Sequence, residues 1–196
     1  VSGVDELIGR LGSGDPNDRM LAVGELVQLG SAAVPGLVGV VRDTASVARG
    51  LAAEALAEIA DPACADDLAA AVGDLDEEVR ANAAVGLSRI GDPRAAEALL
   101  RTIDDRQDLL HYPYTASVHA LIALGAPALP AVATLLDAPD PVTRQRAFVV
   151  VRSVVEAMPG TGDWQELWRE LGRYEPGAGD QDRAVAQWQA WIASHI

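Results

Sequence analysis

Lysine is absent from this 196-residue chain, cysteine and phenylalanine occur once each, and aromatic side chains make up only 4% of it. A lone Cys64 excludes an intramolecular disulfide and a thiolate metal cluster. All 15 basic residues are Arg, no Arg-rich run exists, and the net charge is −14. A nucleic-acid binder needs a basic stripe to displace counterions from phosphates, so that class is excluded, and anionic membranes repel such a surface too. The missing lysine reads as the codon bias of a GC-rich bacterial genome. No apolar run approaches the roughly 20 residues of a membrane span. The start, Val1-Ser2-Gly3-Val4-Asp5-Glu6, has no basic region followed by an apolar stretch, so no signal peptide is visible and a cytoplasmic location is expected.

What is present is small and apolar. Ala, Val, Leu and their like make up 49% of the chain, enough for a core, and small side chains suit helices packed closely on one another. Self-similarity is evident. "DPACADDLAAAVGDL" starts at 61 and "DPRAAEALLRTIDD" at 92; "LGSAAVPGLV" at 29 returns as "LGAPALPAVA" at 124. Between these phrases lies a common segment, R-x-x-[AS]-x-x-x-[LV]-x-x-[LIV]. Its copies are Arg19-Ala22-Leu26-Leu29, Arg49-Ala52-Leu56-Ile59, Arg80-Ala83-Leu87-Ile90, Tyr114-Ser117-Leu121-Leu124 and Arg144-Ala147-Val151-Val154, with starts 30, 31, 34 and 30 residues apart. Offsets 0, 3, 7 and 10 share one helical face because each residue turns about 100°. A degenerate sixth copy is Arg183-Ala186-Ala190-Ala193.

Boundary signals agree with this pattern. Asp15-Pro16 and Asp140-Pro141 place a capping carboxylate before a first-turn proline. Gly30, Gly91 and Gly125 follow the last apolar position, where a left-handed residue ends a helix. Shorter leading helices are expected at 3–12, 32–42, 62–73, 93–103 and 127–137. Helix pairs at this period cannot bury their own faces and must stack.

These units resemble the HEAT-like repeat family, especially the short bacterial type seen in phycobilisome-lyase-like proteins. The resemblance rests on Asp76 to Arg80 and Asp140 to Arg144, the small residue that follows, and the terminal Gly-Asp-Pro, and covers residues 3–156. It implies an all-α fold: an α-solenoid of about five helical hairpins at 1–156, closed by Trp-rich capping helices at 157–196 in the same domain. The repeated Arg is expected to bridge to an Asp of its own or the next repeat's turn. In that family the second helix of each pair lines the concave surface, so this face is the candidate binding site.

Counting the Arg as zero, offsets +2, +5 and +9 point away from +3, +7 and +10. They supply the candidate partner-binding residues Leu21, Leu51, Glu54, Glu58, Asn82, Val85, Arg89, His119 and Val149. The set is less polar than a solvated face, which marks a contact surface or one covered by another part of the molecule. A partner with an apolar segment flanked by basic residues suits Leu21, Leu51 and Val85 with Glu25, Glu54 and Glu58.

Two further features carry chemistry. "GDWQELWRELG" and "DRAVAQWQAWIASHI" place Trp164 near Trp168 and Trp188 near Trp191, each pair on one helix face. They read as a cap on the repeats or as an aromatic box for a ligand. The Gly/Pro-rich segment 173–182 reads as a mobile loop. Residues 108–125 hold His111, Tyr112, Tyr114 and His119, groups able to move protons or orient a ligand, or else side chains filling a widened turn. The first reading of function is therefore a non-catalytic scaffold for a protein or peptide, without cofactor or metal. The alternative is a small-molecule binder or lyase- or cyclase-like tailoring enzyme with a pocket near the fourth and fifth repeats.

Overall fold

A capping carboxylate accepting from the second residue of the helix it precedes recurs down the chain: Asp15 from Asn17, Asp61 from Ala63, Asp76 from Glu78 and Asp140 from Val142. Each satisfies a backbone N–H that the helix itself leaves unpaired. The computed structural model describes residues 3–106 and 110–196. It is all-helical, with no β-strand among the described residues, and falls into two compact units, Val1–Asp105 and Arg106–Ile196.

The first unit contains α1 (Gly3–Arg10), α2 (Pro16–Leu29), α3 (Val34–Arg42), α4 (Arg49–Ile59), α5 (Ala65–Ala71), α6 (Glu77–Ile90) and α7 (Ala95–Arg101). Leading helices pack on their own second helices, α1 on α2, α3 on α4 and α5 on α6, while α2, α4 and α6 lie side by side as a layer. The repeated offsets make the core: Ala22, Leu26, Ala52, Leu56, Ala83 and Leu87 are all fully buried. The layer is close because its seam is small. A Cβ on Gly86 would lie 3.2 Å from the Ala57 Cα and 2.8 Å from Leu68 Cδ1, so glycine sets the distance between α6 and α4.

Two of the repeated Arg residues, Arg49 and Arg80, bridge to an Asp as expected. Arg80 clamps both oxygens of Asp105 at 2.7 and 2.8 Å and donates to the carbonyls of Asp74 and Leu75. Arg49 pairs with Asp74, again 25 residues on. Arg19 donates to the Ser13 carbonyl, six residues back.

The second unit holds α8 (Ala116–Leu124), α9 (Leu129–Val132), α10 (Pro141–Ala157), α11 (Trp164–Glu170) and α12 (Asp182–His195). α10 packs on α8 and α9, α11 on α10, and α12 on α9 and the turn after it. The face that α12 buries is Ala184, Val185, Trp188 and Ile192, whereas Ala186, Ala190 and Ala193 are exposed. The degenerate sixth copy is thus displaced in register: Val185, Trp188 and Ile192 together carry more apolar area than the three alanines and decide which side turns inward.

Gly91 ends α6 in the left-handed conformation at φ 76°, and Ala60 ends α4 in the same conformation at φ 51° and ψ 39°. A Cβ in that region clashes with the following carbonyl oxygen and costs about 1 kcal/mol. Ala60→Gly is therefore expected to raise the thermal midpoint by roughly 2–4 °C, read by calorimetry. An unchanged or lower midpoint would show that Ala60 carries no such strain.

Candidate functional site

The second helices meet through fixed offsets, and this sorts the candidate partner residues. Asn82, at +2 of α6, is buried and donates its amide to the Gly50 carbonyl of α4 at 3.0 Å. Arg89, at +9, donates to the Ala57 carbonyl at 3.2 Å and pairs with Glu58. In the second unit Arg146, at +2 of α10, is 1% exposed and donates from Nε to the Pro113 carbonyl. The +2 flank of α6 therefore faces α4, and that of α10 faces the turn that precedes α8. Wheel geometry alone places +2 on the open side; the close approach of neighbouring helices turns it into a seam. Leu21 holds the same offset on α2 and is 58% exposed beside Met20, and Leu51 is half-buried. Around +5 and +9 the layer stays open, with Glu54 and Val85 half-buried and Glu58 and Arg89 exposed.

The second unit holds an open cleft of about 600 Å³. One wall is the forward flank of α10, offsets +1, +4, +5 and +8: Gln145, Phe148, Val149 and Arg152. The other is α11, through Trp164, Gln165 and Trp168, and the segment from Tyr174 to Ala178 closes the end. The rings behind the cleft form one cluster. Trp164 stacks on buried Trp188 with centroids 5.3 Å apart, and Phe148 meets Tyr174 edge-on at 4.9 Å. Polar tips are used internally, since Trp168 Nε1 donates to the Tyr174 carbonyl at 3.0 Å and the Tyr174 hydroxyl donates to the Leu136 carbonyl. The Arg152 guanidinium stands 5.7 Å from the Trp164 ring centroid and donates to Glu156.

Segment 173–182, expected as a mobile loop, is pinned here. Tyr174 and Pro176 are buried, and Arg144 donates from Nε to the Pro176 carbonyl at 2.7 Å. This is the role the fifth repeat's Arg takes in place of an Asp bridge. Tyr174 and Arg152 are not among the residues that sequence reasoning singles out; the signal that finds Arg152 is the forward flank of α10 read together with the Trp pair of α11.

The His/Tyr group lies elsewhere. Asp108 and Leu109 fall outside the described residues. Tyr114 stacks on His119 with centroids 5.1 Å apart, His111 and Tyr112 are exposed, and none of the four lines the cleft. Tyr114 thus trades the repeat's guanidinium for a ring contact on its own helix. Cys64 is buried and its Sγ donates to the Asp61 carbonyl. Burial, reinforced by Asp61, pushes this thiol up, away from the thiolate a nucleophile needs. Among the described residues no three His, Cys, Asp or Glu side chains gather as a metal site, and no single helix is long and apolar enough to cross a membrane.

Comparison with known proteins follows this geometry. Residues 36–110 match the family model of HEAT repeats. Among solved structures, the CpcE–CpcF complex of phycocyanin lyase from Nostoc sp. PCC7120 is similar at 23% identity, over 95% of this chain and 75% of that one, with a TM-score of 0.53. An engineered protein is similar at 18% identity over 99% and 98% of the two chains, with a TM-score of 0.49. No curated protein matches the sequence. The fold is thereby that of the helical-repeat, α-solenoid class, with Trp-rich helices at its C-terminal end.

Tyr174 offers a direct probe of the cleft's inner wall. Burial pushes its phenol up to about 12, with Arg144 opposing the shift. The folded state therefore disfavours the phenolate that the unfolded chain forms near 10. This contribution to stability is intact below pH 10 and is lost as the pH rises towards 12. Urea unfolding at pH 8, 10 and 11.5 is expected to show that decline in the native protein. Tyr174→Phe should lack it, starting about 1 kcal/mol lower because the Leu136 carbonyl has lost its donor. A parallel decline in the variant would assign the alkaline loss to other groups.

Proposed function

We propose that this chain, which carries HEAT repeats over residues 36–110, is a non-catalytic scaffold that binds a protein or peptide on the second-helix layer of its first unit. One observation carries the reading: Leu21, Leu51 and Val85 keep apolar surface open to solvent on a layer whose core positions are otherwise fully buried. Apolar surface left open beside charged groups marks contact surfaces on soluble proteins. Glu54 and Glu58 lie on the same layer, Glu58 paired with Arg89, while Glu25 pairs with Arg10 of α1, and the first unit has more than twice as many acidic residues as Arg. The partner that fits is a segment with apolar residues flanked by basic ones, steered by the net charge of −14. The same charge opposes a nucleic acid or an anionic membrane. Of the remaining candidates, Arg89 borders this surface, Asn82 belongs to the seam beneath it, and His119 and Val149 lie in the second unit.

The similar Nostoc structure is itself a complex of two chains, which suits a scaffold reading. Its lyase activity suits the alternative, a small-molecule or tailoring role for the second unit. The scaffold reading is preferred because it accounts for exposed apolar groups that a pocket in the other unit leaves unexplained.

Single substitutions test it. Leu51→Asp or Val85→Asp is expected to weaken capture of a bound protein at least tenfold while leaving the helical circular dichroism unchanged. Glu58→Arg should weaken capture less and flatten its salt dependence. Full retention of binding in both Asp variants would remove the second-helix layer as the contact surface.

A further inference from the structure

In the first unit α2 and α4 each offer their forward flank to the next second helix, and in the second unit α8 does so to α10. The forward flank of α10, Gln145, Phe148, Val149 and Arg152, instead meets α11, a helix of seven residues, across the cleft of about 600 Å³. That volume lies in the range of sites for small organic ligands. The rings that line it are held from behind, Trp164 by Trp188, Phe148 by Tyr174 and Trp188, and Trp168 by its bond to the Tyr174 carbonyl. Such rings present faces, not polar edges, and an aromatic face carries the negative end of the ring quadrupole.

The structure already displays what these faces accept. Trp164 lies against Trp188 on one side, and the Arg152 guanidinium stands over the ring. Arg152 is more than half exposed, and its partner is Glu156 one turn along the same helix, a class of pair worth only a few tenths of a kcal/mol. Its charge is balanced by that carboxylate. Glu175, also lining the cleft, is exposed and has no ion pair among the described residues. The lining thus combines four half-buried or buried ring systems, Phe148, Trp164, Trp168 and Tyr174, with one balanced cation and one unbalanced carboxylate.

We infer that the cleft between α10 and α11 binds an organic cation, an alkylated ammonium or guanidinium head group on an apolar body, with the head group over the Trp168 and Phe148 faces and near Glu175. The Arg152 side chain is then a weakly held internal competitor. Cation recognition over aromatic faces is an established mode, best with Trp. This site is independent of the partner surface on the first unit.

The test uses the intact chain and its own tryptophan fluorescence. Benzyltrimethylammonium chloride is expected to quench it saturably, and choline to bind at least tenfold more tightly than 3,3-dimethylbutan-1-ol, its uncharged isostere. Glu175→Gln should weaken benzyltrimethylammonium binding at least threefold. Arg152→Gln should tighten it, because the internal cation is gone. Leu51→Asp should leave it unchanged, so failure here and failure of the scaffold surface are distinguishable. Absence of saturable quenching, equal binding of the alcohol, or weaker binding by Arg152→Gln would overturn the inference. The last result would mean that Arg152 supports the shape of the cleft and does not compete for it.

Discussion

The first unit depends on how closely its second helices approach one another. Between α4 and α6, Gly86 lies against Ala57 so closely that an added Cβ would meet the backbone of α4, and Gly50 leaves room for the Glu78 side chain of α6. At this distance side chains deep in the seam, such as Asn82, are buried, while Arg89 at its edge stays exposed. The polar ones that occur there must bond across it, as Asn82 does to the Gly50 carbonyl and Arg89 to the Ala57 carbonyl. A buried amide without such a partner costs more than its bond contributes. The seam therefore fixes register between repeats as well as distance, because a one-turn slip would strand the buried Asn82 amide.

The same packing decides the character of the open surface. Arg side chains at the start of second helices are drawn into carbonyls and Asp carboxylates of neighbouring turns: Arg19 to Ser13, Arg49 to Asp74, Arg80 to Asp105 and Arg144 to Ala138 and Pro176. Arg42 and Arg94 are likewise paired, with Asp67 and with Asp66 and Asp92. Positive charge is spent on joining turns, while the acidic excess remains for solvent or a partner. An acidic, partly apolar layer is thus a consequence of how the repeats are stapled, not a separate feature added to them.

Much of this architecture was legible because it is periodic. Offsets 0, 3, 7 and 10 name the buried Ala22, Leu26, Ala52, Leu56, Ala83 and Leu87 directly, and Asp-Pro and Gly mark helix ends at Pro16, Pro141 and Gly91. What a single helical wheel lacks is the neighbouring helix. It treats +2 as outward for Leu21, Asn82 and Arg146 alike, yet only Leu21 is exposed, since Asn82 faces α4 and Arg146 faces the turn that precedes α8. The sixth copy failed for a related reason: three alanines in register carry less apolar area than Val185, Trp188 and Ile192 on the adjoining flank of the same helix. The cleft was half legible. Trp164 and Trp168 were visible as a pair, but Tyr174 and Phe148 join them only through a loop whose anchors, the carbonyls of Leu136 and Pro176, have no signature in sequence.

Repeat arrays end where the next helix cannot reproduce the seam, and α10 shows how. Its forward flank bears Phe148 and Arg152, groups too long for a partner at the α4–α6 distance. A bulky flank calls for a spaced neighbour, and α11 meets it with indole rings rather than with alanine. Rings that stand off from a flank bury less of it than small residues pressed against it, so a cleft remains. The segment from Tyr174 to Pro176 is fastened at its hydroxyl and its carbonyls, which keeps it from collapsing into the space. The substitution of aromatic for small side chains at one seam therefore does two things at once. It terminates the stack, and it leaves preorganised ring faces open to solvent, where a ligand need not displace any helix to reach them.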